Sequence, residues 1–171
     1  MAIKSLRDLY LYQLKDLYNA ETQITRVLPR MAKVASSPDL ETAFLEHLEQ
    51  TRHHIERLDH ILARLSKGPK GQKCRGMEAL LQESEELLHQ DTDAAVVDAG
   101  LIGAAQRVEH YEIAGYGTAR AYALQLGDHE AADLLLQTLD EEERADHNLS
   151  LLAENRINIE ATEGYKIFQP T

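Results

Sequence analysis

Cysteine is almost absent from this chain. A single one, Cys74, stands among 171 residues, which excludes an internal disulfide framework and any zinc site built from clustered cysteines. Such a chain suits a reducing compartment, so a cytoplasmic location is expected. Long apolar runs are missing too: none approaches the ~20 residues a helix needs to span a bilayer. The first residues, Met-Ala-Ile-Lys-Ser-Leu-Arg-Asp, lack the apolar stretch of a secretion signal. Positive charge is scarce, with 18 Lys and Arg against 29 Asp and Glu, a net charge of -11. Nucleic-acid affinity rests largely on cationic contacts to phosphate, and anionic membrane surfaces select the same charges, so neither is an expected partner. Nine glycines and four prolines leave little for strands and turns. Leu, Ala and Glu are abundant instead, and all three favour helix.

Helical periodicity divides the chain into four long helices and a short one. The first starts at Ser5, where Ser5-Leu6-Arg7-Asp8 reads as a cap with an acid in the first turn, and carries Leu14, Leu17, Ile24, Leu28 and Met31. Pro29 predicts a kink within it, and Ser36-Ser37-Pro38 ends it and opens the second helix. The second carries Phe44, Leu48, Ile55, Leu58, Ile61 and Leu65 and stops before Gly68-Pro69. A basic loop at 67–75 leads to a short amphipathic helix over 77–89. Asp93 caps a third long helix reaching Gly127, and Asp128 caps a fourth that frays after about Asn158. The third is rich in Gly and Ala, which predicts a close approach by another helix backbone. The links near 36 and near 127 are short and so make antiparallel hairpins; the link between helices two and three is long. The expected fold is all-α: a ferritin-like four-helix bundle of two antiparallel hairpins joined by a long crossover with its own short helix. Residues 1–158 form the bundle, and 159–171 an irregular tail whose Tyr165, Ile167 and Phe168 can dock on the body.

Acids occupy positions where a bundle should be dry. Glu21 sits on the apolar stripe of helix one, Glu109 and Glu112 on that of helix three, and Glu142 and Asp146 on that of helix four. Helix two is less regular: Leu48, Ile55 and Leu58 mark its apolar centre, His47, Gln50 and His54 lie on one flank, and Thr51 faces inward. The depths agree. Fifteen residues back from the turn near 36 is Glu21 and fifteen forward is Thr51; fifteen back from the turn near 127 is Glu112 and fifteen forward is Glu142. An ionised carboxylate without a partner in a low-dielectric core costs several kcal/mol, and five would also repel one another. A pair of divalent cations resolves both problems, and oxygen ligands with an imidazole favour iron or manganese over structural zinc. The candidate ligands are Glu21, Glu109 and Glu142, then Glu112 and Asp146, with His47 or His54 as nitrogen donor. His53, His60, His89, His129 and His147 face outward, and so does most of the acidic run 140–143. Tyr111 and Tyr116 fall close to the site. The alternative is that the acids reach water at the stripe edge or pair with Arg52, Arg107 or Arg144.

Several segments then resemble a known family. Leu-Tyr-Asn-Ala-Glu-Thr-Gln (17–23), His-Leu-Glu-Gln-Thr (47–51), residues 73–81, Ala-Ala-Gln-Arg-Val-Glu-His-Tyr-Glu-Ile-Ala-Gly-Tyr-Gly-Thr (104–118) and Thr-Leu-Asp-Glu-Glu-Glu-Arg-Ala-Asp (138–146) are similar to the YciF-type ferritin-like stress proteins of bacteria. The resemblance implies a ferritin-like fold related to rubrerythrin-type di-iron proteins, a homodimer, and a link to stress responses. It places Glu21, Glu109 and Glu142 as bundle glutamates of a di-iron site, with dioxygen or peroxide as the small reactant. Gln50 departs from the family's usual His-Leu-Glu-Glu-Thr and cannot serve as an anionic bridging ligand. The other expectation is a dimeric bundle without enzymatic activity, acting through protein contacts.

Overall fold

A computed structural model of the chain describes residues 3–65, 68, 73–89 and 92–162. The helices are α1 (Leu6–Val34), α2 (Pro38–Arg64), α3 (Arg75–Leu87), α4 (Ala94–Gln125) and α5 (His129–Leu152). A π-helical turn, Ala153–Ile157, joins α5 to α6 (Asn158–Thr162). The last helix therefore does not fray at Asn158 but relaxes through a wider turn and continues to Thr162. Tyr165, Ile167 and Phe168 lie outside the described residues. α1 runs through Pro29, which sits exposed, without a stop. Among the described residues no helix is long and apolar enough to cross a membrane.

Local chemistry explains the boundaries. Ser5 Oγ accepts from Asp8 N at 3.1 Å, while the Asp8 carboxylate accepts from Ser5 Oγ and Lys4 N, closing a reciprocal cap. Asp93 and Asp128 cap α4 and α5 through Ala95 N and Ala131 N. Gly127 adopts φ +74° between α4 and α5, and the following Asp128 N reaches back to Ala123 O at 2.9 Å, the αL termination that only glycine enters without strain. The α1–α2 turn is held from another helix. Buried Asp98 of α4 accepts from Ser36 N (2.9 Å), Ser36 Oγ (2.7 Å) and Ser37 N (2.8 Å). Hydrogen bonds to an ionised group contribute about 1.5–3 kcal/mol each, so this one acid fixes the first hairpin against the second.

α1 pairs with α2 and α4 with α5; the hairpins then meet through α1 against α4 and α2 against α5, the ferritin-like bundle. The crossover helix α3 lies on α1 and α4. It is tied there by Cys74, whose N donates to Asn19 Oδ1 (2.8 Å) and whose buried Sγ lies 3.1 Å from Asp16 Oδ2 and 3.0 Å from Tyr111 Oη. Tyr111 thus belongs to the crossover anchor and not to the polar waist. Burial pushes the Cys74 thiol up, so it stays protonated and unreactive at neutral pH. Close helix approach is realised at Gly115, where a Cβ would lie 2.7 Å from Leu17 Cδ2; at Gly103 and Gly117 nothing lies within 4 Å.

The apolar core is not continuous. One cluster, with Ile24, Leu28, Phe44, Leu101 and Leu149, fills one end; a second, with Leu14, Leu17, Leu58, Ile61 and Leu135, fills the other. Each fully buried Leu or Ile contributes roughly 1.5–3 kcal/mol, and the two clusters together carry the polar level between them.

Candidate metal centre

That level is built by four helices. α1 contributes Glu21, α4 contributes Glu109 and Glu112 one turn apart on one face, α5 contributes Glu142, and α2 contributes His47 and His54 two turns apart. All six are buried. The buried line of α2 runs through His47, Thr51, His54 and Leu58, a 4-3-4 spacing that centres both histidines. Ile55, which the sequence pattern puts at the middle of the stripe, is only half-buried.

Two groups of ligand atoms form, each within 4.8 Å: His47, Glu109, Glu112 and Glu142 in one, and Glu21, His54 and Glu142 in the other. Glu142 belongs to both. His47 Nε2 stands 3.4 Å from Glu109 Oε1 and 3.8 Å from Glu142 Oε2. His54 Nδ1 stands 3.0 Å from Glu142 Oε1 and 3.3 Å from Glu21 Oε1. Asp146 is not brought in. One helical turn beyond Glu142 shifts it by about 6 Å along the axis, where it is half-buried, accepts from Gln106 Nε2 at 3.1 Å and stands 3.5 Å from His110 Nε2. Gln50 Oε1 lies 3.4 Å from His47 Nδ1.

Hydrogen bonding does not satisfy this cluster. Among the described residues ten buried side-chain nitrogen and oxygen atoms make no well-formed hydrogen bond, and eight are here, two of them only ion-paired with each other (His54 Nδ1 and Glu142 Oε1): Glu21 Oε2, His47 Nε2, His54 Nδ1, Glu109 Oε2 and both oxygens of Glu112 and of Glu142. Native interiors pair nearly all such atoms, so orphans concentrated in one place need an explanation. They are all potential donors to a cation, and their number and arrangement fit a pair of divalent ions with oxygen-rich, one-imidazole shells.

The protonation pattern of the metal-free cluster follows from the same crowding. Burial, then the neighbouring carboxylates, pushes Glu109 and Glu112 well above the usual carboxylate range. His54 shows the opposite balance: burial works against its charge, but Glu21, Glu141 and Glu142 outweigh burial and push its pKa up to about 12. Glu142 is held low, because His54 and His47 overcome the cost of its burial. Cations therefore stand in the gap, and here the cation is an imidazolium.

Four further residues surround the ligands. His54 Nε2 lies 2.9 Å from Glu141 Oε2, and Arg57 clamps that carboxylate through both oxygens while its Nη1 also reaches Thr138 Oγ1 at 3.1 Å. Despite the cost of partial burial, His54 and Arg57 draw the Glu141 pKa down to about 2. An anionic acceptor on Nε2 fixes His54 with Nδ1 turned to the cluster, the arrangement by which carboxylates orient metal-ligating histidines. The sequence pattern puts Glu141 on a solvated face. Its neighbours His54 and Arg57 share a face of α2, but nothing local to residues 140–143 shows that α2 lies opposite. On the far side, the buried Tyr116 hydroxyl donates to Glu21 Oε1, and its ring meets that of His54 edge-on with centroids 6.1 Å apart.

Comparison with known proteins agrees with this architecture. The family model described as a domain of unknown function (DUF892) matches residues 5–162. Protein YciF of Escherichia coli (strain K12) is 44% identical over 162 residues, spanning 94% of this chain and 98% of that protein. The crystal structure of that stress protein superposes with a TM-score of 0.88 at 43% identity, covering 91% and 99% of the two chains. YcfI from Rhodopseudomonas palustris gives 0.84 at 40% identity over 86% and 94%. A two-domain protein from Anabaena variabilis with DJ-1/ThiJ/PfpI-like and ferritin-like domains gives 0.60 at 17% identity, covering 98% of this chain and 41% of that one, and so speaks to fold alone. With the family model covering nearly the whole bundle and a full-length relative above 40% identity, the chain belongs to the DUF892 family, the YciF-type proteins with a ferritin-like fold.

Proposed function

We propose that this chain is a stress-response protein that holds two divalent ions, iron or manganese, at the waist of its bundle. The observation that carries the reading is the collection of eight orphaned donor atoms on six buried residues from four helices. His47, Glu109 and Glu112 would hold one ion, Glu21 and His54 the other, and Glu142 reaches both groups. Iron or manganese so bound supplies redox chemistry between the +2 and +3 states toward a small oxidant such as dioxygen or peroxide, in a ferroxidase-like or peroxide-consuming reaction. The chain's own part is to keep the site dry with two apolar clusters, to aim His54 through Glu141, and to hold Glu21 by the Tyr116 hydroxyl. Titration of the purified, chelator-treated protein with ferrous ion under anaerobic conditions is expected to saturate near two ions per chain. Glu142→Ala, which removes the residue common to both groups, is expected to bind fewer than one. A wild-type ratio near zero overturns the reading.

The partner is a second copy of the chain. Val96, Gly103, His110, Gly117 and Leu124 recur every seven residues along α4, with Val96, His110 and Leu124 exposed and open space beside both glycines, so this face of the helix is narrow and lined by small and apolar residues on either side of one histidine. Analytical ultracentrifugation is expected to give twice the 19.3 kDa chain mass, and Gly117→Arg to shift it to the monomer without loss of helicity. A wild-type monomer at micromolar concentration rejects the pairing.

A further inference from the structure

The two halves of the cluster differ in reach. A cleft of about 160 Å³ opens between α2 and α5, and Ala43, His47, Gln50, Glu109, Arg144 and Ala145 are among its lining residues. Its floor is therefore the His47–Glu109 half. Those two side chains retain 7% and 3% exposure, whereas Glu112 behind them and Glu21, His54 and Glu142 retain none. The other half is closed on each side, by the Tyr116 hydroxyl on Glu21 and by the Glu141–Arg57 clamp on His54 Nε2.

We infer that, among the described residues, the α2–α5 cleft is the working entrance to the centre, the space of about 10 Å³ on the α1–α4 side of His47 and Glu109 being too small to pass a ligand, so that the ion on His47 and Glu109 is exchangeable and takes the external ligand, while the ion on Glu21 and His54 is locked in. This rests on the metal-centre reading. The cleft also sets the substrate class. Sites for drug-sized organic ligands run to about 300–1,000 Å³, whereas an apolar cavity of about 150 Å³ takes up benzene, so a space of about 160 Å³ admits dioxygen, hydrogen peroxide or azide and excludes an organic reductant much larger than a single small ring. Gln50 and Arg144 line this route: Gln50 lies beside His47, and the Arg144 guanidinium is tethered through Nε to Asp140 O at 3.0 Å.

Cobalt(II) is the probe. The loaded protein, mixed with excess EDTA, is expected to lose its ions in two phases of equal amplitude, the fast one at least tenfold faster. Azide is expected to alter the visible spectrum of only one cobalt per chain. Ala145→Phe, which narrows the cleft from its wall without replacing a ligand, is expected to slow the fast phase about tenfold and weaken azide binding with the metal count unchanged; Ala43→Leu serves the same purpose at the other wall. Single-phase loss from the wild type, or an unaltered fast phase in the variants, overturns the inference while leaving the metal centre standing. A chain that takes up no cobalt, iron or manganese overturns both.

Discussion

Manganous ion is expected to raise the melting temperature of the chelator-treated protein, and the rise is expected to grow with pH between about pH 6 and 8.5. Two linked effects give the sign. In the metal-free protein His54 is cationic, its pKa raised from 6.5 to about 12 by the facing carboxylates. The folded chain holds a proton that the unfolded chain releases above its ordinary value, so this stabilisation is complete below about pH 6.5 and is lost progressively as pH rises towards 12. Glu109 and Glu112, also raised, act in the same direction from about 4.5 upward. Glu141, lowered to about 2, acts oppositely, but its contribution disappears only below pH 4.5, outside this window. The metal-free protein therefore loses stability with pH. Metal on His54 Nδ1 must expel the proton there, so affinity at that position rises about tenfold per pH unit, and any proton released from Glu109 or Glu112 steepens this. Ligand at 100 times its dissociation constant contributes about 2.7 kcal/mol, and each tenfold gain adds about 1.4. For a domain of this size that is roughly 2–4 °C per kcal/mol, or about 3–6 °C more per pH unit. Differential scanning fluorimetry with and without manganese reads both curves. Curves that stay parallel would show that bound metal displaces no proton, and His54 would then not be a ligand.

The glutamates were legible in the sequence and the histidines less so, for a physical reason. Glu21, Glu109, Glu112 and Glu142 interrupt stripes whose other members are, Asp146 aside, Leu, Ile, Met, Ala or Tyr, so the interruption is visible. On α2 the flank residues Leu48 and Ile55 are apolar as well, and a broad apolar arc hides which line is central; packing against both α1 and α5 selects His47, Thr51 and His54. Asp146 shares the stripe of Glu142, but sequence phasing records rotation and not depth, and one turn places it beside Gln106 and Ser150, below the ligands. The Glu141–Arg57 clamp and the Asp98 hold on Ser36 and Ser37 join residues 84 and 61–62 positions apart. Contacts between hairpins of that kind leave no periodic signal, because each side chain alone reads as an ordinary surface charge.

Glu112→Leu is expected to stabilise the metal-free protein and to abolish most of the stabilisation by metal. Both Glu112 oxygens are buried without a partner, and burial with the charges of Glu21, Glu142 and Glu109 keeps the carboxyl well above its usual range. Folding without metal thus includes the cost of desolvating an acid whose polar neighbours are mainly other carboxylates, about 1–3 kcal/mol by mutational measure. A leucine of similar volume removes that cost and joins the apolar clusters on either side, so the metal-free melting temperature is expected to rise by roughly 3–10 °C. The manganese-induced shift is expected to fall by more than half, since one of the two groups loses a ligand. Glu142→Leu supplies the contrast. Glu142 is ionised beside His54, so its removal leaves a buried imidazolium with fewer counter-charges, and the metal-free protein is expected to melt lower. Opposite signs at two glutamates of one cluster are what a site assembled for cations produces, because only the acid without an internal cation opposes folding before metal arrives. If both substitutions destabilise the metal-free chain, Glu112 is satisfied by protein alone and the requirement for metal at that position is gone.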